Sequence, residues 1–117
     1  MHDANYRKIL SSLQAQCSKR EYCRSDIFRK AVEALEGDRV SASELVASLV
    51  EDKFVDDLRY ATAFARHKAH LSGWGPAKIS YLLSGKGIAK EDIRRALDVG
   101  IATIERVRQR FVLEGLE

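Results

Sequence analysis

The sequence predicts an all-α protein built from tandem three-helix repeats, and three observations favour this fold class. The 117 residues include one proline and two threonines but many Ala, Leu, Glu, Arg and Lys, a composition that favours helix over sheet. No segment shows the sustained apolar/polar alternation of a half-buried strand. The helical pattern of the first half of the chain also recurs in the second half. This length allows one small domain, or two or three smaller repeats.

Three helices are predicted in the first half of the chain. The first covers residues 5–19 and the second residues 24–36, where Gly37-Asp38 ends it. The third begins after Ser41 or Ser43 as N-cap, because a serine oxygen accepts a hydrogen bond from a free backbone N–H of the first turn. The residues expected on buried faces are Ile9, Leu13 and Cys17, then Ile27, Phe28, Ala31, Val32 and Leu35, then Leu45, Val46, Leu49, Val50 and Phe54.

Three further helices are predicted in the second half. The fourth starts at Asp56-Asp57, since carboxylates favour the positive end of a helix dipole, and Gly73 ends it. The fifth opens with Gly75-Pro76, where the missing N–H of proline would be unpaired anyway. The sixth starts at Lys90, and Gly100 is expected as a kink or boundary before a final helix. The expected buried residues are Tyr60, Ala61, Phe64, Ala65 and Leu71, then Ile79, Leu82 and Leu83, then Ile93, Ala96 and Leu97, and in the final helix Ile101, Ile104, Val107, Val112 and Leu113.

The third helix matches the sixth at a shift of 48 residues, and the first two helices match the fourth and fifth at a shift of 52. In that register Tyr22 aligns with Trp74, and Ile27 aligns with Ile79. Tyr22 with Ile27, and Trp74 with Ile79, have the spacing of a hydrophobic staple, in which the residue before the N-cap packs on the fourth helical residue. The predicted organisation is a three-helix repeat at 1–54, a second at 55–99, and a C-terminal helix at 100–117 that would start a third repeat.

Positive charge is concentrated in the second half of the chain. Residues 1–58 carry 9 basic and 11 acidic side chains, whereas residues 59–117 carry 11 basic and 6 acidic ones. Residues 59–90 include basic side chains but no acidic ones. Such a stretch attracts phosphates or an acidic protein face, although it can equally be a solvated helix surface. The candidate binding residues are Arg59, Arg66, Lys68, Lys78, Lys86, Arg94 and Arg95, with Trp74 in second rank.

Two of these candidates also have a purely structural interpretation. Arg59 could pair locally with a carboxylate. Trp74, flanked by glycines beside a basic stretch, could stack on a nucleobase or serve as the staple residue. The staple is favoured because its counterpart Tyr22 lies in a nearly neutral segment.

The residue pattern argues against an enzyme. No nucleophile occurs with a base, and no carboxylates converge. Gly73-Trp74-Gly75 lacks the third glycine of a dinucleotide fingerprint, and Ser84-Gly85-Lys86-Gly87 lacks the leading glycine and the Ser or Thr of a P-loop. His67 and His70 have no further metal ligand nearby in sequence. We therefore expect no catalytic residue, no metal and no cofactor.

The sequence also gives expectations about environment. Cys17 and Cys23 are not expected to form a disulfide in a Lys- and Glu-rich chain without a secretion signal. No apolar run is long enough to span a bilayer. The protein is therefore expected to be cytoplasmic, with neither a membrane partner nor a small-molecule substrate.

Three segments, in order, carry a resemblance to a known family. They are Arg20-Glu21-Tyr22-Cys23-Arg24-Ser25-Asp26-Ile27, Lys53-Phe54-Val55-Asp56-Asp57-Leu58-Arg59-Tyr60-Ala61 and Gly73-Trp74-Gly75-Pro76-Ala77-Lys78-Ile79. With Leu82-Leu83 and Lys86-Gly87-Ile88 they resemble motifs of the RecX regulatory proteins across about residues 9–98. Cys23 stands where that family usually has a serine cap, and Trp74 stands for its tyrosine. Family members usually carry a third repeat, whereas about one helix follows Leu97 here.

The resemblance implies a modulator of the RecA recombinase. Similar proteins bind in the helical groove of the RecA filament on single-stranded DNA and restrain its growth, and with it strand exchange and the SOS response in DNA repair. The implied partners are the RecA filament and single-stranded DNA, with the basic candidates facing RecA's acidic groove, the DNA phosphates or both. A RecA-independent nucleic-acid-binding module is the alternative, and a plain helical scaffold is a third interpretation.

Overall fold

The computed structural model describes residues 3–100, and over that range it contains six α-helices and no strand. The helices are α1 (Ala4–Lys19), α2 (Arg24–Ala34), α3 (Arg39–Glu51), α4 (Asp57–Leu71), α5 (Pro76–Gly85) and α6 (Lys90–Gly100). The predicted all-α fold is thus confirmed. The final helix that the sequence predicts after Gly100 lies outside the described residues.

The chain divides into two compact units within α4, one up to Tyr60 and one from Ala61 onward. The first unit has a core to which α1, α2, α3 and the segment after α3 contribute. Its buried residues are Tyr6, Leu13, Cys17, Ile27, Ala31, Ala42, Leu45, Val46, Leu49 and Val55. Burial of apolar side chains such as these is the dominant stabilising contribution in a small helical unit.

The apolar spacing identifies most of this core and misses some of its members. Leu13 and Cys17 of α1 are buried as predicted, whereas Ile9 is half-buried and the unpredicted Tyr6 is buried. Asp3 begins α1 as its N-cap, because its carboxylate accepts the Tyr6 N–H at 2.8 Å. Several predicted core residues lie half-buried at the edge of the core, namely Phe28, Val32, Leu35, Val50 and Phe54.

The start of α3 corrects the sequence prediction. The N-cap is Asp38, and neither Ser41 nor Ser43 has that role. The Asp38 carboxylate accepts the Ser41 N–H at 3.0 Å and the Ser41 hydroxyl at 2.8 Å, so Ser41 is the donor of the cap. These hydrogen bonds hold the pKa of the Asp38 carboxyl below its usual value. The helix before it, α2, ends at Ala34, two residues before its predicted end at residue 36.

A second core lies in the unit from Ala61 onward. Its buried residues are Ala61, Ala65, Ile79, Leu83, Ile88, Ile93, Ala96 and Gly100. The predicted Tyr60, Phe64, Leu82 and Leu97 are half-buried. The prediction that Leu71 is buried is wrong, since 76% of this residue is exposed. Leu71 ends α4, and the chain turns away at Gly73 with a φ of +68°.

Gly100 is closely packed, and a side chain at this position would be crowded. A Cβ atom at this position would lie 3.3 Å from the Ala65 Cβ and 3.3 Å from the Arg66 backbone nitrogen. The sequence predicts a kink or boundary at Gly100, and the described part of α6 does extend as far as this residue. The absence of a side chain lets α6 approach α4 closely.

None of the helices described between residues 3 and 100 is both long and apolar enough to cross a membrane.

The residue after the C-cap of α3 gives a test of the backbone. Lys53 has a left-handed φ of +64°, and the following Phe54 N–H bonds back to the Leu49 carbonyl at 2.9 Å. Glycine is the usual residue in this conformation, since it has no Cβ to clash. Lys53→Gly should therefore raise the free energy of unfolding by about 1 kcal/mol relative to Lys53→Ala, as measured by urea denaturation. Equal stability of the two variants would contradict the left-handed conformation.

Candidate functional site

Three of the candidate binding residues meet at the turn between α4 and α5. The Trp74 ring is half-buried, and the Lys68 Nζ lies 4.6 Å from its centroid. The Lys78 Nζ lies 4.1 Å from the same centroid. The Phe64 ring meets Trp74 edge-to-face, with 6.3 Å between centroids and an interplanar angle of 69°. We call these four residues the Trp74 cluster.

The local sequence explains how this cluster forms. Gly73 takes a left-handed φ of +68°, and the Trp74 N–H then bonds to the Lys68 carbonyl at 3.0 Å. This turn returns the chain to the last turn of α4 and brings the indole beside Lys68. Gly75 is the N-cap of α5 and Pro76 its first residue, as predicted, so Lys78 follows in the first turn of α5.

The two lysines of the Trp74 cluster keep their charge available. Within residues 3–100 neither ammonium group has a carboxylate at ion-pair distance. A cation over an aromatic ring is attracted by about 0.5–1 kcal/mol at an exposed site, which limits its motion without neutralising it. The arrangement therefore presents two positioned N–H donor groups to an anion.

Arg59 is engaged elsewhere. Its guanidinium donates to both carboxylate oxygens of Glu21, at 2.9 Å for the bond from Nε to Oε1, and also to the Phe54 carbonyl at 3.2 Å. The hydrogen bond to Glu21 is the main cause of the raised pKa of Arg59. Pairing of Arg59 with a carboxylate, one of the two interpretations that the sequence allows, is thus confirmed, although the partner lies 38 positions away in the sequence. Any contact of Arg59 with a partner stays a prediction.

The paired acids at the start of α4 serve two different helices. The Asp56 carboxylate accepts the Arg59 N–H at 3.0 Å and so caps α4, as the sequence predicts. The Asp57 carboxylate instead accepts the Arg24 N–H at 2.8 Å, at the start of α2. Cys23, the N-cap of α2, makes no capping hydrogen bond with its thiol, and the Asp57 carboxylate separately supplies an acceptor for the N–H of the first helical residue, Arg24. Asp57 therefore fixes the entrance to α2 from a position 33 residues later in the chain.

Arg94 and Arg95 share one carboxylate on α6. The Arg94 guanidinium donates to the Glu91 Oε1 at 2.7 Å, and the Arg95 Nε donates to the same oxygen at 3.3 Å. The hydrogen bond from Arg94 is the main cause of the lowered pKa of Glu91. Both arginines are largely exposed, at 68% and 60% of the side chain. The raised pKa of Arg94 comes mainly from its hydrogen bond to Glu91, with a smaller contribution from the nearby Asp98 carboxylate, so the two arginines share this part of α6 with two acids.

The remaining two candidates lie on or beside the same helices. Arg66 is exposed on α4, and Lys86 is the half-buried C-cap of α5. The structure thus brings Lys68, Lys78 and Trp74 together and leaves the other five candidates outside the Trp74 cluster. Sequence reasoning placed Phe64 in the core and did not identify its contact with Trp74. It also missed Tyr81 on α5, which is 78% exposed.

Tyr81 was visible in the sequence pattern. It falls two residues after Ile79 and two before Leu83, so it lies off the buried stripe of α5. No comparable signal marks Glu21 as the partner of Arg59, because the two residues are 38 positions apart.

The polar groups of the described range do not assemble into a metal site. No group of three or more His, Cys, Asp or Glu side chains between residues 3 and 100 is arranged to hold a metal ion. Cys17 and Cys23 are free and buried, and burial raises the pKa of both thiols.

The fold and the cation-bearing turn define an all-α protein of the tandem three-helix-repeat class. The family model for the second three-helix domain of RecX matches residues 56–97, and a crystal structure of regulatory protein RecX aligns with a TM-score of 0.71. The chain belongs to the RecX family. The resemblance that the three sequence segments carry is therefore confirmed.

The relatives match most of this chain but cover only part of their own length. Regulatory protein RecX of Pseudomonas putida is 34% identical over 80 residues, which is 68% of this chain and 55% of that protein. Its counterpart in Ectopseudomonas mendocina is 31% identical over 93 residues, or 79% and 61% of the two chains. The crystal structure shares 26% identity, with 80% of this chain and 45% of that one covered. The chain thus spans about half to three fifths of the length of these curated relatives.

The contact between Asp57 and α2 can be tested by mutation. Asp57→Ala removes the acceptor for the Arg24 N–H and should lower the free energy of unfolding by about 1 kcal/mol, the usual effect of losing a helix cap. Asp57→Asn keeps an acceptor oxygen and should retain most of that stability. Urea denaturation of the two variants beside the unmodified chain provides the measurement. An Asp57→Ala variant as stable as Asp57→Asn would mean that this hydrogen bond does not hold α2.

Proposed function

We propose that this chain binds the RecA filament on single-stranded DNA and restrains its recombinase, ATPase and coprotease activities. Membership of the RecX family supports the proposal, since the relatives are named regulatory proteins. The motifs that carry the family resemblance lie in the segments that form the turn before α2, the start of α4 and the turn before α5. The protein would act in the cytoplasm by binding, without a catalytic step.

The single observation that carries the proposed contact is the Trp74 cluster. Lys68 and Lys78 are held on the Trp74 ring at 4.6 and 4.1 Å. A RecA–DNA filament offers anions to such a group, either acidic side chains of RecA or DNA phosphates. Between residues 3 and 100 these two ammonium groups have no carboxylate at ion-pair distance, so their charge suits an anionic target.

The other basic candidates would extend this contact. Arg66 is exposed on α4, and the Arg94 and Arg95 side chains are 68% and 60% exposed. We include these three residues, with Lys86, in the proposed binding surface. Arg59 is also included, in a positioning role, because its hydrogen bond to Glu21 holds the α1–α2 turn.

A RecA-independent nucleic-acid-binding module is the second candidate function. The observation that favours it is the same pair of lysines, because cations without carboxylate partners attract phosphates whether or not RecA is present. The two candidates differ in what they need. A module of this kind binds DNA in the absence of RecA. When it occupies as much of the DNA as the proposed regulator does, the activity of RecA stays unchanged.

The proposed function predicts a measurable effect on RecA. Adding the protein at substoichiometric ratio should lower the DNA-dependent ATP hydrolysis of RecA. The variant Lys68→Gln/Lys78→Gln should need a several-fold higher concentration for the same inhibition, because it loses both cations of the Trp74 cluster. The measurement is steady-state ATPase activity on single-stranded DNA, with filament pull-down in parallel.

The matched control is Arg7→Gln/Lys8→Gln, which changes the net charge equally at two exposed positions of α1. It should inhibit RecA as the unmodified chain does. A several-fold excess of the unmodified chain that leaves ATP hydrolysis unchanged would refute the proposed function. Equal inhibition by Lys68→Gln/Lys78→Gln would refute the assigned contact and leave the function in place.

A further inference from the structure

The first unit contains an arrangement like the Trp74 cluster. Tyr22 immediately precedes Cys23, the N-cap of α2, as Trp74 precedes Gly75, the N-cap of α5. The Arg20 guanidinium carbon lies 4.8 Å from the centroid of the Tyr22 ring. The Lys30 Nζ lies 5.3 Å from the same centroid. We call Arg20, Tyr22 and Lys30 the Tyr22 cluster.

In both clusters the cations come from the two sides of the turn, at positions that do not align when the sequence is shifted by 52 residues. In each unit one cation comes from the end of the helix before the turn, Arg20 after α1 and Lys68 in the last turn of α4. The other comes from the helix after the turn, Lys30 in α2 and Lys78 in α5. An aromatic ring with two cations over it therefore occurs in both units. This holds although residues 1–58 have an excess of acidic side chains and residues 59–117 an excess of basic ones.

The acidic residues near the Tyr22 cluster do not neutralise it. Glu21 is bound by Arg59, and Asp26 pairs with Arg29 at 2.9 Å. Glu33 lines the same groove between α1 and α2 as Lys30 but forms no ion pair with it. Over residues 3–100, neither Arg20 nor Lys30 has a carboxylate within 4 Å. The cluster is thus a local positive site within an acidic half of the chain.

We infer that Arg20, Tyr22 and Lys30 form a second anion-binding site, which takes phosphate groups of single-stranded DNA. Because the cations lie over the ring, the groups offered outward are charged N–H donors, and these suit a phosphate backbone better than a stacked base. A guanidinium beside an ammonium can bind successive phosphates without reading sequence. The inference rests on the proposed function for the identity of the partner, but its chemistry can be tested without RecA.

The test compares the salt dependence of DNA binding. Binding of a labelled single-stranded oligonucleotide is measured by fluorescence anisotropy over a range of salt concentrations. Each phosphate contact on a single strand contributes about 0.7 to the slope of log affinity against log salt. The variant Arg20→Gln/Lys30→Gln should therefore lower the magnitude of the slope by roughly 1.4, if each cation contacts one phosphate.

Two further variants separate a specific site from general charge. Arg7→Gln/Lys8→Gln removes the same charge from the same unit at positions that contact neither ring, and it should keep the slope of the unmodified chain. The charge-preserving variant Arg20→Lys/Lys30→Arg should also keep the slope. Circular dichroism verifies that each variant retains its helices, so that a lost slope in a folded protein reports on binding.

Each outcome bears on the inference separately from the proposed function. Equal slopes for Arg20→Gln/Lys30→Gln and the Arg7→Gln/Lys8→Gln control overturn it, as does an unmodified chain that fails to bind bare DNA at low salt. Unchanged binding to bare DNA with lost binding to RecA filaments also overturns it, since the site would then contact protein. If the slope falls as expected while RecA's ATPase is unaffected by the unmodified chain, the site stands and the proposed function fails.

Discussion

The structure depends on how the chain enters the middle helix of each unit. The first turn of a helix leaves backbone N–H groups without an internal partner, and they need an acceptor from elsewhere. Neither Cys23 nor Gly75 supplies one from its side chain. At α5 the problem is reduced by Pro76, which has no N–H. At α2 it is likewise reduced by Asp57, at the start of α4, whose carboxylate accepts the N–H of the first helical residue, Arg24.

In each unit an aromatic ring lies just before the start of this middle helix. Tyr22 and Trp74 both precede the N-cap, and each ring attracts two cations from the helices on either side of the turn. Four cations are thereby positioned, and none of them has a carboxylate at ion-pair distance in the part of the chain that the structure describes. Arg59 is used differently, because its bond to Glu21 stabilises the α1–α2 turn at the expense of its availability to a partner.

Sequence reasoning succeeded where the physical cause is local. The start of α5 follows from Gly75-Pro76, and the buried Ile79 and Leu83 follow from helical spacing. It failed at the start of α3, where Asp38, Ser41 and Ser43 are all competent caps and their order alone does not choose between them. It also failed for Leu71, because periodicity assigns a face of α4 without showing that the neighbouring turn leaves that end of the helix exposed.

The sequence by itself determined the helices, the family and the excess of positive charge in the second half, because each of these is written in neighbouring residues or in composition. Only the tertiary structure decided which charges are paired. Glu21 meets Arg59 across 38 residues, and Asp57 meets the Arg24 N–H across 33. It also showed that Tyr22, in the more acidic half of the chain, holds two cations as Trp74 does. A charge is neutralised or left available by what lies within a few ångströms of it, and chain folding brings those neighbours together from distant parts of the sequence.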